Sequence, residues 1–204
     1  MTQSTNQSIG RPRDPAIDKR LLQATIELYG EYGWHTLTMT QIAKHAGVGK
    51  SALYNRWKTK TAIIHDAFTQ LIKIPEPTGT TLREILYNEA SFRLYAYLGE
   101  YSKPLRRLLF EAATIHEPEI YALYQSISRE PTRALVRRLW DFKISGEIPE
   151  SVSCVRITDA LEGSILMRTF YIAADQKSCF ISAPESYLST LVDELLALCH
   201  KVQP

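Results

Sequence analysis

Apolar residues in this 204-residue chain recur at every third or fourth position, and no segment sustains the alternation of a strand. The pattern predicts a first helix over residues 16–32, with Leu21, Ala24, Thr25 and Leu28 on one face and Gly33 at its end. Two short helices follow, one turned inward through Ile42, Ala43 and Ala46, the other through Leu53 and Trp57. A fourth begins near Lys60 and runs to about Lys73, burying Ile63, Ile64, Ala67, Phe68 and Leu71. Pro75, Pro77 and Gly79 then break the pattern. Beyond them helices are expected over 81–99, 104–116, 118–142, 153–175 and 185–201, with Pro104, Pro118, Pro149 and Pro184 at or near their starts. Pro131 falls inside a helical stretch, where its missing N–H predicts a kink or a split. The fold class is all-α, with no internal repeat.

The two short helices are separated by Gly47-Val48-Gly49. Thr40 stands where an N-cap belongs, Gly47 where a left-handed residue closes a helix, and Ser51 where the next helix needs a cap. This is the layout of a helix-turn-helix, in which one helix braces and the next enters the major groove. Lys50, Ser51, Ala52 and Asn55 are the candidates for base edges, because Lys reaches guanine O6 and N7 and Asn pairs with adenine N6 and N7. Thr40, Tyr54, Lys58 and Lys60 are placed for phosphates, and Lys60 also sits at the anion-attracting start of the fourth helix. Arg56 serves either a groove wall or an internal salt bridge. The plainer alternative is a pair of amphipathic helices with a solvated basic face.

Charge favours the first reading. Residues 1–60 hold nine Lys/Arg against four acids, while the whole chain is only +2. Positive charge gathered at one end suits a polyanionic partner for that end alone. Residues 1–15 read as a flexible basic arm, whose Gly10-Arg11-Pro12-Arg13 is like the core of an AT-hook; Arg11 and Arg13 are candidates for the minor groove or for loose phosphate contact. Hydrophobic residues make up 45% and charged residues 23%, ordinary for a globular protein. The longest apolar stretch, near Ile165 to Ala174, is broken by Arg168, which excludes a membrane span. A polar N-terminus argues against export and for a cytoplasmic protein. Cys154, Cys179 and Cys199 form neither a metal-ligand spacing nor a disulfide framework and read as buried thiols.

Residues 17–68 resemble the N-terminal domain of TetR-family transcriptional regulators. The resemblance rests on Arg20-Leu21-Leu22-Gln23-Ala24-Thr25-Ile26-Glu27-Leu28-Tyr29, Tyr32-Gly33-Trp34, Leu37-Thr38-Met39, the gap-free run Ile42 to Trp57, and Lys58-Thr59-Lys60. Trp57 departs from the phenylalanine often found there in the family. The resemblance implies a three-helix DNA-binding domain over 16–74, joined to a helical effector-binding and dimerisation domain over 80–204. It also implies that Tyr54 and Lys60 grip the DNA backbone and that the last two helices pair with those of a second subunit. An apolar small-molecule effector would lie among the middle helices, with Phe92, Tyr95, Phe110, Tyr124, Met167 and Tyr171 as candidate lining. The stripes Ile157, Ala160, Leu161, Ser164, Ile165, Arg168, Ile172 and Tyr187, Leu188, Leu191, Leu195, Leu196, Leu198 serve either the dimer or the chain's own core. A two-fold dimer matches a palindromic double-stranded operator. Repression relieved by the effector is the family's habit.

Two rival classes are weaker. Gly49-Lys50-Ser51 resembles the end of a phosphate loop, but that motif needs a glycine where Lys44 stands and a strand before it. A helical adaptor with incidental basic charge would lack sequence preference on DNA. No Ser/His/Asp set, paired carboxylate or metal cluster suggests catalysis, and no cofactor or metal is expected. His116 beside Glu117 reads as a helix-end histidine rather than a ligand.

Overall fold

The computed structural model describes residues 15–200. Its elements are α1 (Pro15–Thr36), α2 (Met39–His45), α3 (Lys50–Tyr54), α4 (Lys60–Leu71), α5 (Leu82–Leu98), α6 (Ser102–Thr114), α7 (Pro118–Tyr124), a π-helical turn (Gln125–Arg129), α8 (Glu130–Ile144), α9 (Cys154–Tyr171), α10 (Lys177–Ser182) and α11 (Glu185–His200). No strand occurs among the described residues, and the all-α reading stands. Arg11 and Arg13 of the basic arm lie outside the described residues.

Helix ends follow from side-chain chemistry, in one case not the residue expected. Thr38, not Thr40, caps α2: its hydroxyl accepts from Gln41 N–H while the Gln41 side chain accepts from Thr38 N–H. Such a reciprocal box is worth ~1 kcal/mol. Thr40 lies inside the helix and points to solvent. Likewise Gly49 occupies the N-cap of α3 without a side-chain bond, and Ser51 is an exposed residue within that helix. Gly47 takes the left-handed backbone (φ 62°) that closes α2; Val48 N–H reaches Ala43 C=O and Gly47 N–H reaches Lys44 C=O.

Pro131 behaves as its chemistry requires. Helix α8 cannot continue α7 as one regular rod, because Pro131 offers no N–H. The strain is absorbed just upstream, where Gln125–Arg129 widens into a π-turn. Helix α10 was not anticipated; α9 stops at Tyr171, short of the expected 175, and α10 follows it. Cys154 and Cys199 are buried, but Cys179, on α10, is exposed.

The described residues bury two apolar clusters. One gathers Leu21, Ile26, Tyr29, Ile42, Leu53, Trp57, Ile63, Ile64 and Phe68 from α1 to α4 with Leu108, Ile120, Leu123 and Ile127 from α6, α7 and the π-turn. Tyr29 and Phe68 meet edge to face at 5.1 Å. The other joins α5, α8, α9 and α11 through Leu86, Leu94, Leu135, Leu139, Leu161, Ile165, Leu188 and Val192. The loop at 75–79 thus separates helices along the chain, while α6 and α7 pack across it.

Candidate nucleic-acid interface and ligand cavity

The helix-turn-helix presents its polar residues because its apolar ones are spent inside. Leu53 and Trp57, one turn apart, are buried. That leaves Lys50 and Tyr54 in one exposed row and Ser51 and Asn55 in the next, each pair at i, i+4. Ala52 is half-buried between them. Thr40, Lys44 and Lys58 are also exposed. Among the described residues, none of Lys44, Lys50 and Lys58 forms an ion pair.

Acids fix the frame. Arg56 donates to Asp18 of α1 and to the Ala52 carbonyl (3.0 Å), which resolves its role as an internal tie rather than a groove contact. His45 Nε2 lies 3.0 Å from Glu27 of α1. The hydrogen bond from Gln23, first, and then the interaction with His45 hold the Glu27 carboxyl below its ordinary value against the opposing effect of burial. The Trp57 indole N–H donates to Asp66 of α4 at 2.8 Å, a bond phenylalanine would lack. Lys60 is half-buried; its ammonium donates to the Trp34 carbonyl and lies 4.9 Å from the Trp34 ring centre. Its charge is therefore engaged inside the fold, unlike that of Lys58.

Helix α6 clasps the far end of α1. Glu111 accepts from the buried Tyr29 hydroxyl (2.7 Å) and from Trp34 N–H (3.1 Å). Arg107 donates to the carbonyls of Gly30 (2.9 Å) and Glu31 (3.1 Å). Gly33, at φ 73°, lets Glu111 approach, since any Cβ there would collide with its carboxylate. Burial, first, and the Glu111 bond raise the Tyr29 pKa well above its ordinary value.

On its other side α6 lines a small, partly open cavity. Leu105, Leu108 and Leu109 face it, together with Phe92, Ala96 and Tyr97 of α5, Ile72 and Ile74 after α4, Ile127 and Ser128 of the π-turn, Pro131 and Thr132 of α8, and Glu162 of α9. One wall is charged: Arg93 donates to Glu89, Glu162 and Thr132, and the Tyr97 hydroxyl donates to Glu162. Burial, first, and then repulsion from Glu162 and Glu76 push the Glu89 carboxyl up, against the pull of Arg93.

The profile described as "Bacterial regulatory proteins, tetR family" matches residues 21–67. The HTH-type transcriptional regulator YdeS of Bacillus subtilis is 28% identical over 187 residues, covering 90% of this chain and 89% of that protein. BetI of Klebsiella pneumoniae is 27% identical over 138 residues, covering 63% and 69%. The chain thus carries a TetR-type DNA-binding domain over residues 21–67 and is similar over most of its length to regulators of that kind. It is a helix-turn-helix DNA-binding regulator, not an enzyme. GusR of Salmonella enterica shares the fold with a TM-score of 0.67 at 19% identity, covering 93% of this chain and 98% of GusR. FadR of Bacillus subtilis, solved in complex with stearoyl-CoA, gives 0.58 at 20% identity, covering 91% and 99%.

In this TetR-type chain the expected base-edge residues Lys50, Ser51, Ala52 and Asn55 lie together on α3 and its end. Of the expected lining residues, Phe92 faces this cavity, Phe92 and Tyr95 line a neighbouring cleft beside α4 and α6, and Phe110 lines another between α1 and α6. Tyr95, Phe110, Met167 and Tyr171 are exposed, and Tyr124 is half-buried against the first core. Phe110 also meets Phe170 edge to face at 5.7 Å on the surface. Each of these helices carries apolar residues on more than one face, and spacing alone does not say which face turns inward. Sequence reading also missed Asp18, Glu27, Asp66, Arg93, Glu111 and Glu162. The signal for the first two was the scarcity of acids among residues 1–60: an acid kept in a basic segment has a structural use. His116 is exposed in the turn between α6 and α7, and no group of His, Cys, Asp or Glu among the described residues is arranged to hold a metal. No described helix is long and apolar enough to cross a membrane.

Proposed function

We propose that this regulator is a cytoplasmic, homodimeric repressor that binds a palindromic operator and leaves it when a small molecule enters the cavity behind α6. The observation that carries the reading is the double engagement of α6: one side lines the cavity, the other holds α1 through Glu111 and Arg107. A ligand that displaces α6 shifts α1, and through Trp34 and Lys60 it shifts α4, so cavity and operator oppose each other with reciprocal coupling. Residues 16–74 would serve DNA and residues 80–204 the effector and the second subunit, with Arg11 and Arg13 of the arm touching the groove or its phosphates. Lys50, Ser51, Ala52 and Asn55 would read bases; Thr40, Tyr54 and Lys58 would hold phosphates. The buried side of the last long helices fills the chain's own core through Ile157, Leu161, Ile165, Leu188 and Leu195. Their remaining exposed apolar residues, Val155, Met167 and Leu198, supply the surface for a partner copy. Two recognition helices would then stand about one helical turn of DNA apart, ~34–36 Å.

The test is selection of a random double-stranded DNA pool on the full chain, followed by titration across salt. An enriched palindrome bound by a dimer supports the reading. Weak, salt-sensitive binding with no enriched sequence overturns it.

A further inference from the structure

The cavity's charged wall has an imbalance that specifies what enters it. Two carboxylates, Glu89 and Glu162, face one guanidinium, Arg93, and both members of the Arg93–Glu89 pair are nearly fully enclosed. The Tyr97 and Thr132 hydroxyl protons on this wall are spent, and three of the five N–H groups of Arg93 are committed. Arg93 gives Nε to Glu162, Nη1 to Glu89 and Nη2 to Thr132; Tyr97 gives its hydroxyl proton to Glu162; Thr132 gives its own to the Ser128 carbonyl at 2.9 Å. Acceptor capacity is left over. An ionised carboxylate has about four lone-pair directions, and Glu162 receives hydrogen bonds from Arg93 and Tyr97. Glu162 lines the cavity and Glu89 stands behind it on the far side of Arg93. Apart from Ser128 and Thr132 the rest of the lining is apolar, and it includes the rings of Phe92 and Tyr97.

We propose that the effector is a small monocation with an apolar body, an alkyl- or arylalkyl-ammonium, whose charged end sits against Glu162 and whose body lies among Phe92, Leu105, Leu109 and Ile127. The proposal rests on the reading of the cavity as the effector site. An ammonium supplies the second positive charge and donates to the open lone pairs of Glu162, and aromatic faces add a favourable field for it. An anionic ligand would meet the opposite. Beside Arg93 it would lie against the Glu89 and Glu162 carboxylates, and displacing either would leave a buried carboxylate without a partner, the costly half of a broken ion pair. The raised Glu89 pKa fits the same picture of a wall short of one positive charge.

Three probes of matched size decide it: 3-phenylpropylammonium, 3-phenylpropan-1-ol and 3-phenylpropanoate, titrated calorimetrically into the full chain without DNA. The ammonium is expected to bind roughly tenfold or more tighter than the alcohol, the scale of one desolvated charge contact, with no detectable binding of the carboxylate. Glu162→Gln keeps the Arg93–Glu89 pair and should erase the ammonium's advantage while leaving the alcohol unchanged. Ala96→Leu, which fills the cavity without touching a charge, should weaken both. The comparison among probes on the unaltered chain stands even if a variant fails to fold. Equal or tighter binding of the carboxylate, or an ammonium preference that survives Glu162→Gln, overturns the proposal, as does no binding by any probe. Because binding is read without DNA, these failures leave the operator selection untouched. Release of selected DNA by a ligand of another charge class would keep the repressor and discard the cation.

Discussion

The Glu111 carboxylate accepts the backbone N–H of Trp34 across 77 residues of chain, and the Trp34 carbonyl in turn accepts the ammonium of Lys60. One peptide segment at the end of α1 is thereby held by α6 from one side and by the start of α4 from the other. Gly33, just before it, has no Cβ and so leaves room for the acid.

Removing that acid should loosen the joint. Glu111→Ala strands the buried Tyr29 hydroxyl and the Trp34 N–H, and each lost buried bond costs about 1–3 kcal/mol. Urea unfolding is expected to show a fall of roughly 2–6 kcal/mol by the same reckoning, with Glu111→Gln intermediate because its amide oxygen still accepts. Gly33→Ala should be harmful as well, through its positive φ and the collision with Glu111.

Lys58 and Lys60 are two residues apart but should fail differently. Lys58→Ala is expected to weaken DNA binding evenly across sequences and to lower the slope of log K against log salt by about 1, one phosphate contact's worth. Lys60→Ala should instead appear as lost stability, because its ammonium holds the Trp34 carbonyl and ring. Denaturation and a salt series on both variants separate the two. A pure DNA-binding defect in Lys60→Ala with unchanged stability would contradict this assignment.

Asn55→Ala should act on sequence preference more than on affinity for random DNA. A bidentate amide contact to adenine discriminates by about 1–3 kcal/mol. Competition between the selected operator and single-base variants would show relaxed specificity at one position per half-site.

Trp57→Phe tests the indole bond to Asp66. The ring remains in the core, so the loss should be about 1 kcal/mol, the net worth of one hydrogen bond. Asp66→Ala should produce a similar loss, and the double variant little more than either alone.

Glu89 makes stability depend on pH in a defined sense. Its folded pKa lies above the model-compound value of 4.5, so the folded chain retains a proton that the unfolded chain gives up. That contribution is complete below pH 4.5 and is lost as pH rises through the folded value. Glu89→Gln mimics the protonated form. Unfolding curves should therefore show the variant matching the parent at low pH and gaining on it as pH rises toward neutrality.

Much of this was legible in the chain. Gly47 and Pro131 marked a helix end and a helix defect because each has a backbone requirement that no packing overrides. The cap of α2 was also written in the sequence: Thr38 with Gln41 three residues on satisfies the reciprocal box, whereas Thr40 has no such partner. The exposed face of α3 was readable because Leu53 and Trp57 turn the other side inward. What resisted reading joins distant segments. Nothing local ties Asp18 to Arg56 or Glu162 to Arg93, and nothing in the spacing of Phe92 and Tyr95 says that the first faces the cavity and the second faces water.

The widened turn before Pro131 has a consequence for how such a protein changes over time. Its residues Ile127 and Ser128 form part of the cavity wall, and there the helix already carries one residue more than a regular turn holds. Losing or gaining a single residue at that point would rotate the wall without dismantling the helix on either side. The lineage can thus retune what the cavity admits by a one-codon deletion or insertion, while the DNA-reading end, built on separate helices, keeps its address.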